Sequence, residues 1–180
     1  MSRIGKNPIP LPQGVKVTWE NGTLTVTGPR GVLSRAMPPR VNLEMDDKEL
    51  RVAPVDDSRL SRSAWGLGRT LAANMVTGVS TGFTRVMELV GTGYKAEART
   101  ESLLVFSVGY SNPVEFPLPP GVTAKVEKAN RIVITGHDRE VLGQITANIR
   151  AIRPPDSYKG KGIKFAGEQL RRKMGKSGGR

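Results

Sequence analysis

Alternating apolar and polar residues predict β-strands along the first third of the chain. Residues 15–19 and 23–27 alternate in this way on either side of Asn21-Gly22. This dipeptide strongly favours a two-residue hairpin loop because both of its positions tolerate positive φ. Further short strands are predicted at 32–33, 41–45 and 50–52. The pattern indicates an antiparallel meander with one face buried.

After residue 57 the apolar period lengthens to about 3.6 residues, which is typical of an amphipathic helix. Asp57 or Ser58 is predicted to be its N-cap, and Gly78 is predicted to end it. Arg62 and Arg69 are expected on the polar face. The predicted apolar stripe consists of Leu60, Ala64, Leu67, Leu71 and Met75.

The second half of the chain returns to strands and then forms another helix. Strands are predicted at 86–90, 94–99, 103–108 and 114–116. The helix is predicted to begin near Asp138. Its apolar stripe is predicted to be Val141, Leu142, Ile145, Ile149 and Ile152.

An internal repeat predicts a duplicated domain. Residues 10–15 recur as residues 117–122, an offset of 107, and residues 24–28 recur as 132–136, an offset of 108. We therefore expect an α+β protein with two similar small domains, at residues 1–81 and 82–180. Each should be an antiparallel sheet with one main helix packed on one face.

Charge narrows the class of partner. The chain has 28 Lys and Arg against 16 Asp and Glu, a net charge of +12, and residues 150–180 carry +8 of it with ten cations and two acids. A positive field this concentrated calls for an anionic partner. The basic tail, at about 153–180, lacks the apolar face of a membrane-surface helix, so nucleic acid is the expected partner and a membrane is not.

Residues 153–163 form the predicted binding loop, Arg-Pro-Pro-Asp-Ser-Tyr-Lys-Gly-Lys-Gly-Ile. Tyr158 can stack on a base or sugar, and Lys159 and Lys161 supply charge for phosphates. Gly160 and Gly162 allow close approach of a bulky partner. The alternative is a solvated basic loop. Further predicted RNA-binding residues are Arg153, Lys164, Arg171, Arg172, Lys173 and Lys176, and secondary candidates are Arg69, Lys95 and Arg99.

Other chemistry has little support in the sequence. The chain has no cysteine and a single histidine, His137, so thiolate sites, multi-histidine metal sites and histidine relays are excluded. Residues 91–96, Gly-Thr-Gly-Tyr-Lys-Ala, match a dinucleotide-binding fingerprint formally. The residues that follow alternate like a strand, so we interpret the motif as a hairpin turn. No cofactor, metal or small-molecule substrate is expected. With no secretory signal and no membrane-spanning run visible, the protein is expected to be soluble and intracellular.

The whole chain resembles the bacterial ribosomal protein six family of the large subunit. The most specific match is residues 155–163, Pro-Asp-Ser-Tyr-Lys-Gly-Lys-Gly-Ile, which resembles the family's signature. Residues 2–6 are similar to its opening, residues 69–76 to its first helix, and residues 143–144 and 147–150 to its second helix.

The resemblance implies two split β-α-β domains and no enzymatic activity. It also implies binding of large-subunit, 23S-type rRNA near the sarcin–ricin loop and the stalk base, mainly through the second domain. Neighbouring ribosomal proteins and translation factors would be further partners, and the location would be the cytoplasmic ribosome. Two alternatives remain open at this point, a free-standing RNA chaperone without sequence preference and a nucleotide-dependent enzyme.

Overall fold

The chain folds into two compact units in a computed structural model that describes residues 2–46, 48–128 and 130–175. Unit 1 ends at Gly82 and unit 2 begins at Phe83. Both units combine antiparallel sheets with a long helix, so the predicted α+β class is confirmed. Each unit contains two sheets, where one was expected.

Unit 1 forms two three-stranded antiparallel sheets, with strand orders β1-β6-β5 and β2-β3-β4. Helix α1 packs against strands of both sheets, and Leu24, Val26, Leu50 and Val79 are fully or almost fully buried between them. In chain order the elements are β1 (Ile9–Pro10), β2 (Lys16–Glu20), β3 (Thr23–Gly28), β4 (Gly31–Ala36), β5 (Val41–Met45), β6 (Glu49–Pro54) and α1 (Arg59–Ser80).

The hairpin predicted at Asn21-Gly22 is confirmed. Glu20 pairs with Thr23, which leaves a two-residue loop between β2 and β3. Asn21 has φ of 47° and Gly22 has φ of 76°. Positive φ at both positions is the type I′ geometry that matches the twist of the flanking strands.

Helix α1 begins as predicted but ends later. Ser58 is the N-cap, and its side chain accepts a hydrogen bond from Ser61 N at 3.2 Å. The prediction that Gly78 ends the helix is wrong. The backbone amides of Thr81 and Gly82 both donate to Thr77 O at 3.0 Å. Gly82, with φ of 76°, supplies the left-handed residue that commonly follows a helix.

The predicted apolar face of α1 is only partly right. Leu60 and Leu67 are 63% and 54% exposed, so their placement in the stripe was wrong. A Cβ on Gly68 would lie 3.6 Å from both Met37 and Val41 side-chain atoms. The small residue therefore lets the helix approach the sheet, a role that counting apolar residues misses. The residues of α1 that are buried are Ser61, Gly68, Ala72, Met75, Val76, Gly78 and Val79.

Unit 2 forms a three-stranded sheet, β10-β9-β8, and a four-stranded sheet, β11-β12-β7-β13. Helix α2 packs on β7, β12 and β13. In chain order the elements are β7 (Phe83–Val90), β8 (Lys95–Thr100), β9 (Leu103–Ser107), β10 (Val114–Pro117), β11 (Val122–Glu127), β12 (Arg131–Gly136), α2 (Arg139–Ile152) and β13 (Gly162–Phe165).

Helix α2 follows its prediction closely. Asp138 is the N-cap and accepts from Glu140 N at 2.8 Å. Leu142, Ile145 and Ile149 are buried as predicted, whereas Val141 is 37% exposed and does not belong to the stripe.

Two features of unit 2 differ from the sequence predictions. The turn at Gly91–Gly93 joins β7 to β8, and these strands lie in different sheets, so it is not a hairpin turn. Strand β13 was not predicted. It pairs with β7 as the edge strand of the four-stranded sheet, and Ile163 is completely buried. The glycine-rich loop is therefore built into the fold and is not part of an appended tail.

The internal repeat corresponds to a shared pairing scheme. Gly14 and Gly121, which are 107 residues apart, both have φ of 84°. Val15 N donates to Pro12 O at 3.2 Å, and Val122 N donates to Pro119 O at 3.3 Å. Strands β1, β2 and β3 therefore correspond to β10, β11 and β12. Strand β4 pairs with β3 as β7 pairs with β12, although β4 follows its partner in the chain and β7 precedes it.

Candidate nucleic-acid interface

The loop between α2 and β13 is closed by its own backbone. Asp156 N donates to Lys161 O at 2.9 Å, and Gly160 N donates to Asp156 O at 2.9 Å. Ile163 N donates to Arg153 O at 2.8 Å, which links the end of α2 to the start of β13. The loop, which we call the signature loop (residues 153–162), is therefore a compact turn with a defined shape.

The Asp156 side chain holds the tip of this loop. Its Oδ2 accepts a hydrogen bond from Lys159 N at 3.0 Å. This bond, followed by those from the backbone amides of Tyr158 and Ser157, lowers the pKa of the carboxyl below its ordinary value. Hydrogen bonds to the charged form favour ionisation, so Asp156 is an anion at neutral pH.

The glycines of the signature loop are required by the fold itself. Gly160 and Gly162 are buried, with φ of 72° and 145°. A Cβ on Gly162 would lie 2.6 Å from Pro154 O and from the Pro155 Cα. The close approach that Gly162 permits is thus made by the protein's own backbone, whereas a Cβ on Gly160 would lie 3.3 Å from the Arg172 side chain. Direct contact of Gly160 and Gly162 with RNA stays a prediction.

A pocket opens beside the signature loop. It has a volume of about 430 Å³ and is lined by Tyr94, Tyr110, Arg153, Pro154, Asp156 and Lys161. The Tyr110 hydroxyl donates to Ile152 O at 2.8 Å. The Arg153 guanidinium lies 5.2 Å from the centroid of the Tyr110 ring, within the range of a cation–π contact. A hydrogen bond with the Tyr110 side chain, followed by the electrostatic effect of Tyr94, raises the pKa of Arg153 above its ordinary value.

Glycines also position Tyr94. A Cβ on Gly91 would lie 2.9 Å from the Tyr94 ring, and one on Gly109 would lie 3.2 Å from it. Both glycines have positive φ, 152° and 82°. In the motif at residues 91–96, which resembled a dinucleotide fingerprint, Gly91 therefore leaves room for the Tyr94 ring. The element that follows Tyr94 is strand β8 and not a helix.

Arg153 lies against the Tyr110 ring, and the other predicted RNA-binding cations among the described residues fall into two groups. In the first group, the side chains are exposed and the structure shows no ion pair between them and another described residue. These are Lys159, Lys161, Arg171, Arg172 and Lys173. Tyr158 is 56% exposed on the same loop. Lys176 lies outside the described residues.

In the second group, the cations already have partners within the protein. Lys164 lies 3.3 Å from a Glu88 carboxylate oxygen, and Lys95 and Arg99 lie 2.7 Å from Glu97 and Glu115 respectively. The Lys95 ammonium also lowers the pKa of the Glu97 carboxyl, chiefly through their hydrogen bond.

Arg69, in unit 1, donates to two backbone carbonyls, Asn7 O at 3.1 Å and Pro8 O at 3.2 Å. It therefore fastens the N-terminal segment to α1.

A half-buried ion pair supports the segment after β13. The Arg150 guanidinium lies 2.6 Å from Glu168 Oε1, and Glu168 Oε2 accepts from Phe165 N at 3.0 Å. These two contacts, with that of Arg150 first, lower the pKa of the Glu168 carboxyl. Beyond them, Lys173 N donates to Ser157 O at 2.8 Å. Residues 171–173 are thereby held beside the signature loop.

Sequence reasoning missed both tyrosines of the pocket as site residues. Each follows a glycine, as Gly93-Tyr94 and Gly109-Tyr110, and the chain has three tyrosines in all. Aromatic residues make up only 5% of this basic protein. A tyrosine that directly follows a glycine was therefore the available sequence signal for a residue that contacts RNA.

The described residues contain no cluster of three or more side chains suited to holding a metal ion. None of the helices in this part of the chain has the length and apolar character needed to cross a bilayer.

Comparison with known proteins gives the family. A family model described as Ribosomal protein L6 matches residues 11–82 and 90–166. The chain belongs to the ribosomal protein L6 family. A Desulfatibacillum aliphaticivorans relative named Large ribosomal subunit protein uL6 is 54% identical over 99% of both chains.

Two further relatives carry the same name. The protein of Synechococcus sp. (strain JA-3-3Ab) is 53% identical over 99% of this chain and 98% of its own length. That of Picosynechococcus sp. is 49% identical over 99% of both chains. The resemblance stated from the sequence is therefore confirmed over nearly the full length.

Proposed function

We propose that this protein is a structural constituent of the large subunit of the cytoplasmic ribosome and binds 23S-type rRNA through unit 2. The names of its relatives, Large ribosomal subunit protein uL6, support the assignment. The proposed site on the rRNA is near the sarcin–ricin loop and the stalk base, beside neighbouring ribosomal proteins and translation factors. The role is to support subunit assembly and translation, and no catalytic step is assigned.

One observation carries the proposed interface. Among the predicted RNA-binding cations, those that lack an ion pair with any described residue lie at and beside the signature loop, whereas Lys164, Lys95 and Arg99 have carboxylate partners and Arg69 has carbonyl partners. A cation without a protein partner can neutralise a phosphate and release its counterions, which drives association with RNA. Lys159, Lys161 and residues 171–173 are therefore the proposed phosphate contacts, with Lys176 as a further one from its sequence position.

The rigidity of the loop favours this role. Asp156 fixes the backbone conformation, and Gly162 allows the loop to lie directly on the Pro154-Pro155 backbone. Because the loop is already ordered, binding does not have to supply the free energy of ordering it. The glycines then act through the shape that they give to the loop.

The test compares Lys161→Ala with Lys125→Ala, an exposed lysine of β11 that serves as a charge-matched control. Binding to an rRNA fragment containing the sarcin–ricin loop and stalk base is measured across a salt series, with a scrambled RNA beside it. Lys161→Ala should weaken binding to the fragment and reduce the slope of log K against log salt by about one. Lys125→Ala should leave both quantities unchanged.

Two results would count against the proposal. Equal effects of the two substitutions would mean that the loop has no special role in binding. Equal affinity of the unmodified protein for the fragment and the scrambled RNA would indicate an RNA chaperone without sequence preference.

A further inference from the structure

We infer that the pocket beside the signature loop binds a single unstacked nucleobase of RNA, with the attached phosphate held by Arg153 and Lys161. This inference rests on the proposed rRNA-binding function and adds to it a site for one nucleotide. It assigns base contact to Tyr94 and Tyr110, where the sequence pointed to Tyr158.

The size and walls of the pocket fit a base. Its volume of about 430 Å³ falls within the range of about 300–1,000 Å³ that is common for small-molecule sites. Two tyrosine rings and one guanidinium plane line it. Splayed RNA bases stack on surfaces of these kinds. A duplex backbone, in contrast, requires an open surface and does not enter a recess with aromatic walls.

The aromatic groups are fixed before any ligand arrives. The hydrogen bond from the Tyr110 hydroxyl to Ile152 O sets the direction of that ring, which is still 47% exposed. Tyr94 is confined by Gly91 and Gly109. Side chains that are already ordered lose less rotamer entropy on binding, which favours a ligand-binding role over a merely solvated surface.

The charges in the pocket have complementary uses. Arg153 and Lys161 provide two positive charges against the one negative charge of Asp156, so the net field attracts a phosphate. The Asp156 carboxylate can accept hydrogen bonds from the N–H groups on a base edge, as carboxylates do in base readout. A nucleotide offers all three features at once, namely a π-face, N–H donors and an anion.

The three tyrosines provide the experimental probe. All of them lie in unit 2, at positions 94, 110 and 158, so labelling the full chain with 3-fluorotyrosine gives three ¹⁹F NMR signals that Tyr→Phe variants assign. The labelled protein is titrated with guanosine 5′-monophosphate and, separately, with ribose 5-phosphate. We expect the nucleotide to shift the Tyr94 and Tyr110 signals more than that of Tyr158, and ribose 5-phosphate to shift them at least tenfold less. Equal shifts with both ligands, or the largest shift at Tyr158, would overturn the inference.

A second arm uses the rRNA fragment and separates this inference from the proposed function. Tyr110→Leu should lower affinity about tenfold, in line with the loss of one stacked base, and leave the salt slope unchanged. Tyr110→Phe keeps the ring and should retain most of the affinity.

The combined outcomes are distinct. Selective rRNA binding that Tyr110→Leu does not alter, together with no base-dependent shift, overturns the pocket and leaves the ribosomal role standing. Base-dependent shifts in a protein that does not select the rRNA fragment support the pocket and count against the ribosomal role. The titration of the unmodified protein decides the matter even if Tyr110→Leu does not fold.

Discussion

The two units share one pairing scheme and differ in what is attached to it. In both, a proline-rich lead-in turns at a glycine with φ of 84° and enters a β-hairpin. In unit 1, the hairpin sheet ends at β4. In unit 2, the equivalent sheet gains a fourth strand, β13, which is delivered by the signature loop at the end of α2. The signature loop lies on this addition, and the pocket beside it combines residues of the loop with Tyr94 and Tyr110.

The net charge of the chain is also divided unequally between the two units. Residues 1–82 have 11 cations and seven acids, a net charge of +4, whereas residues 83–180 have 17 cations and nine acids, a net charge of +8. The excess in unit 2 comes from residues 150–180. Two thirds of the net charge therefore lies in unit 2, in the segment that distinguishes it from unit 1.

The largest expected effect is on the shared framework. Leu24→Ala in unit 1 and Ile132→Ala in unit 2 each remove a completely buried side chain. Each should cost about 2–5 kcal/mol of unfolding free energy in its own unit, through lost burial and the cavity that remains. Both tryptophans, Trp19 and Trp65, lie in unit 1 and all tyrosines lie in unit 2. Tryptophan fluorescence and tyrosine ¹⁹F signals therefore monitor the two units separately during denaturation.

Leu67→Ala is the control for this pair, because Leu67 is 54% exposed and should change the unfolding free energy by no more than about 0.5 kcal/mol. A large effect of Leu67→Ala would mean that the assigned face of α1 is wrong.

The second prediction concerns the segment that distinguishes unit 2. Gly162→Ala places a methyl group 2.6 Å from backbone atoms and requires φ of 145° from an alanine. The strain should destabilise unit 2 by about 1–3 kcal/mol and displace the signature loop. The measurements are the denaturation midpoint of the tyrosine signals and affinity for the rRNA fragment, both of which should fall.

Gly143→Ala is the matched control in the same unit. This glycine lies within α2, and a Cβ there would meet nothing within 4 Å. The substitution should stabilise the helix slightly, since alanine is favoured over glycine by up to about 1 kcal/mol. If Gly162→Ala behaved like Gly143→Ala, the loop would not depend on close backbone contact.

Local signals in the sequence predicted much of this framework. Asn21-Gly22 gave the hairpin, and Ser58 and Asp138 gave the helix starts, because each depends on chemistry within a few residues. The face of α1 was harder. Its buried stripe includes Ser61 and Gly68, whose burial depends on how closely the helix approaches the sheet. That distance is a tertiary property and leaves no apolar period.

The candidate site was predicted only in part, because some of its features are local in the sequence and others depend on tertiary structure. The lysines of the signature loop were evident from charge, but strand β13 was not, since it has only four residues and begins with a glycine that follows Lys161. The pocket combines side chains from positions 94, 110 and 153–161. Only the sheet topology brings these together. Pairing of Lys164 and Arg99 with carboxylates on other strands is likewise invisible without the strand pairing, whereas Lys95 and Glu97 pair within β8.

A third, smaller effect tests whether the cations of the two units have different roles. Arg69→Ala removes the hydrogen bonds to Asn7 O and Pro8 O. It should cost about 0.5–1.5 kcal/mol of unit 1 stability, detected by tryptophan fluorescence, and leave rRNA affinity and its salt slope unchanged. Lys161→Ala should show the reverse pattern. A drop in the salt slope with Arg69→Ala would extend the RNA interface to unit 1.

The smallest expected effect is an acid dependence that belongs to unit 1. Asp56 Oδ1 accepts hydrogen bonds from the Ser58 hydroxyl at 2.6 Å and from Ser58 N at 3.1 Å, next to the N-cap of α1. The hydroxyl bond is the main cause that lowers the pKa of Asp56 from 3.8 to about 2. Because the folded pKa lies below the unfolded value, this carboxylate stabilises unit 1 above about pH 4 and loses its contribution as the pH falls towards 2. Asp56→Asn should remove this part of the pH dependence, so that the difference between wild type and variant in the tryptophan-monitored urea midpoint shrinks between pH 4 and pH 2. A difference that stays constant over this range would show that the Asp56 charge does not stabilise the start of α1.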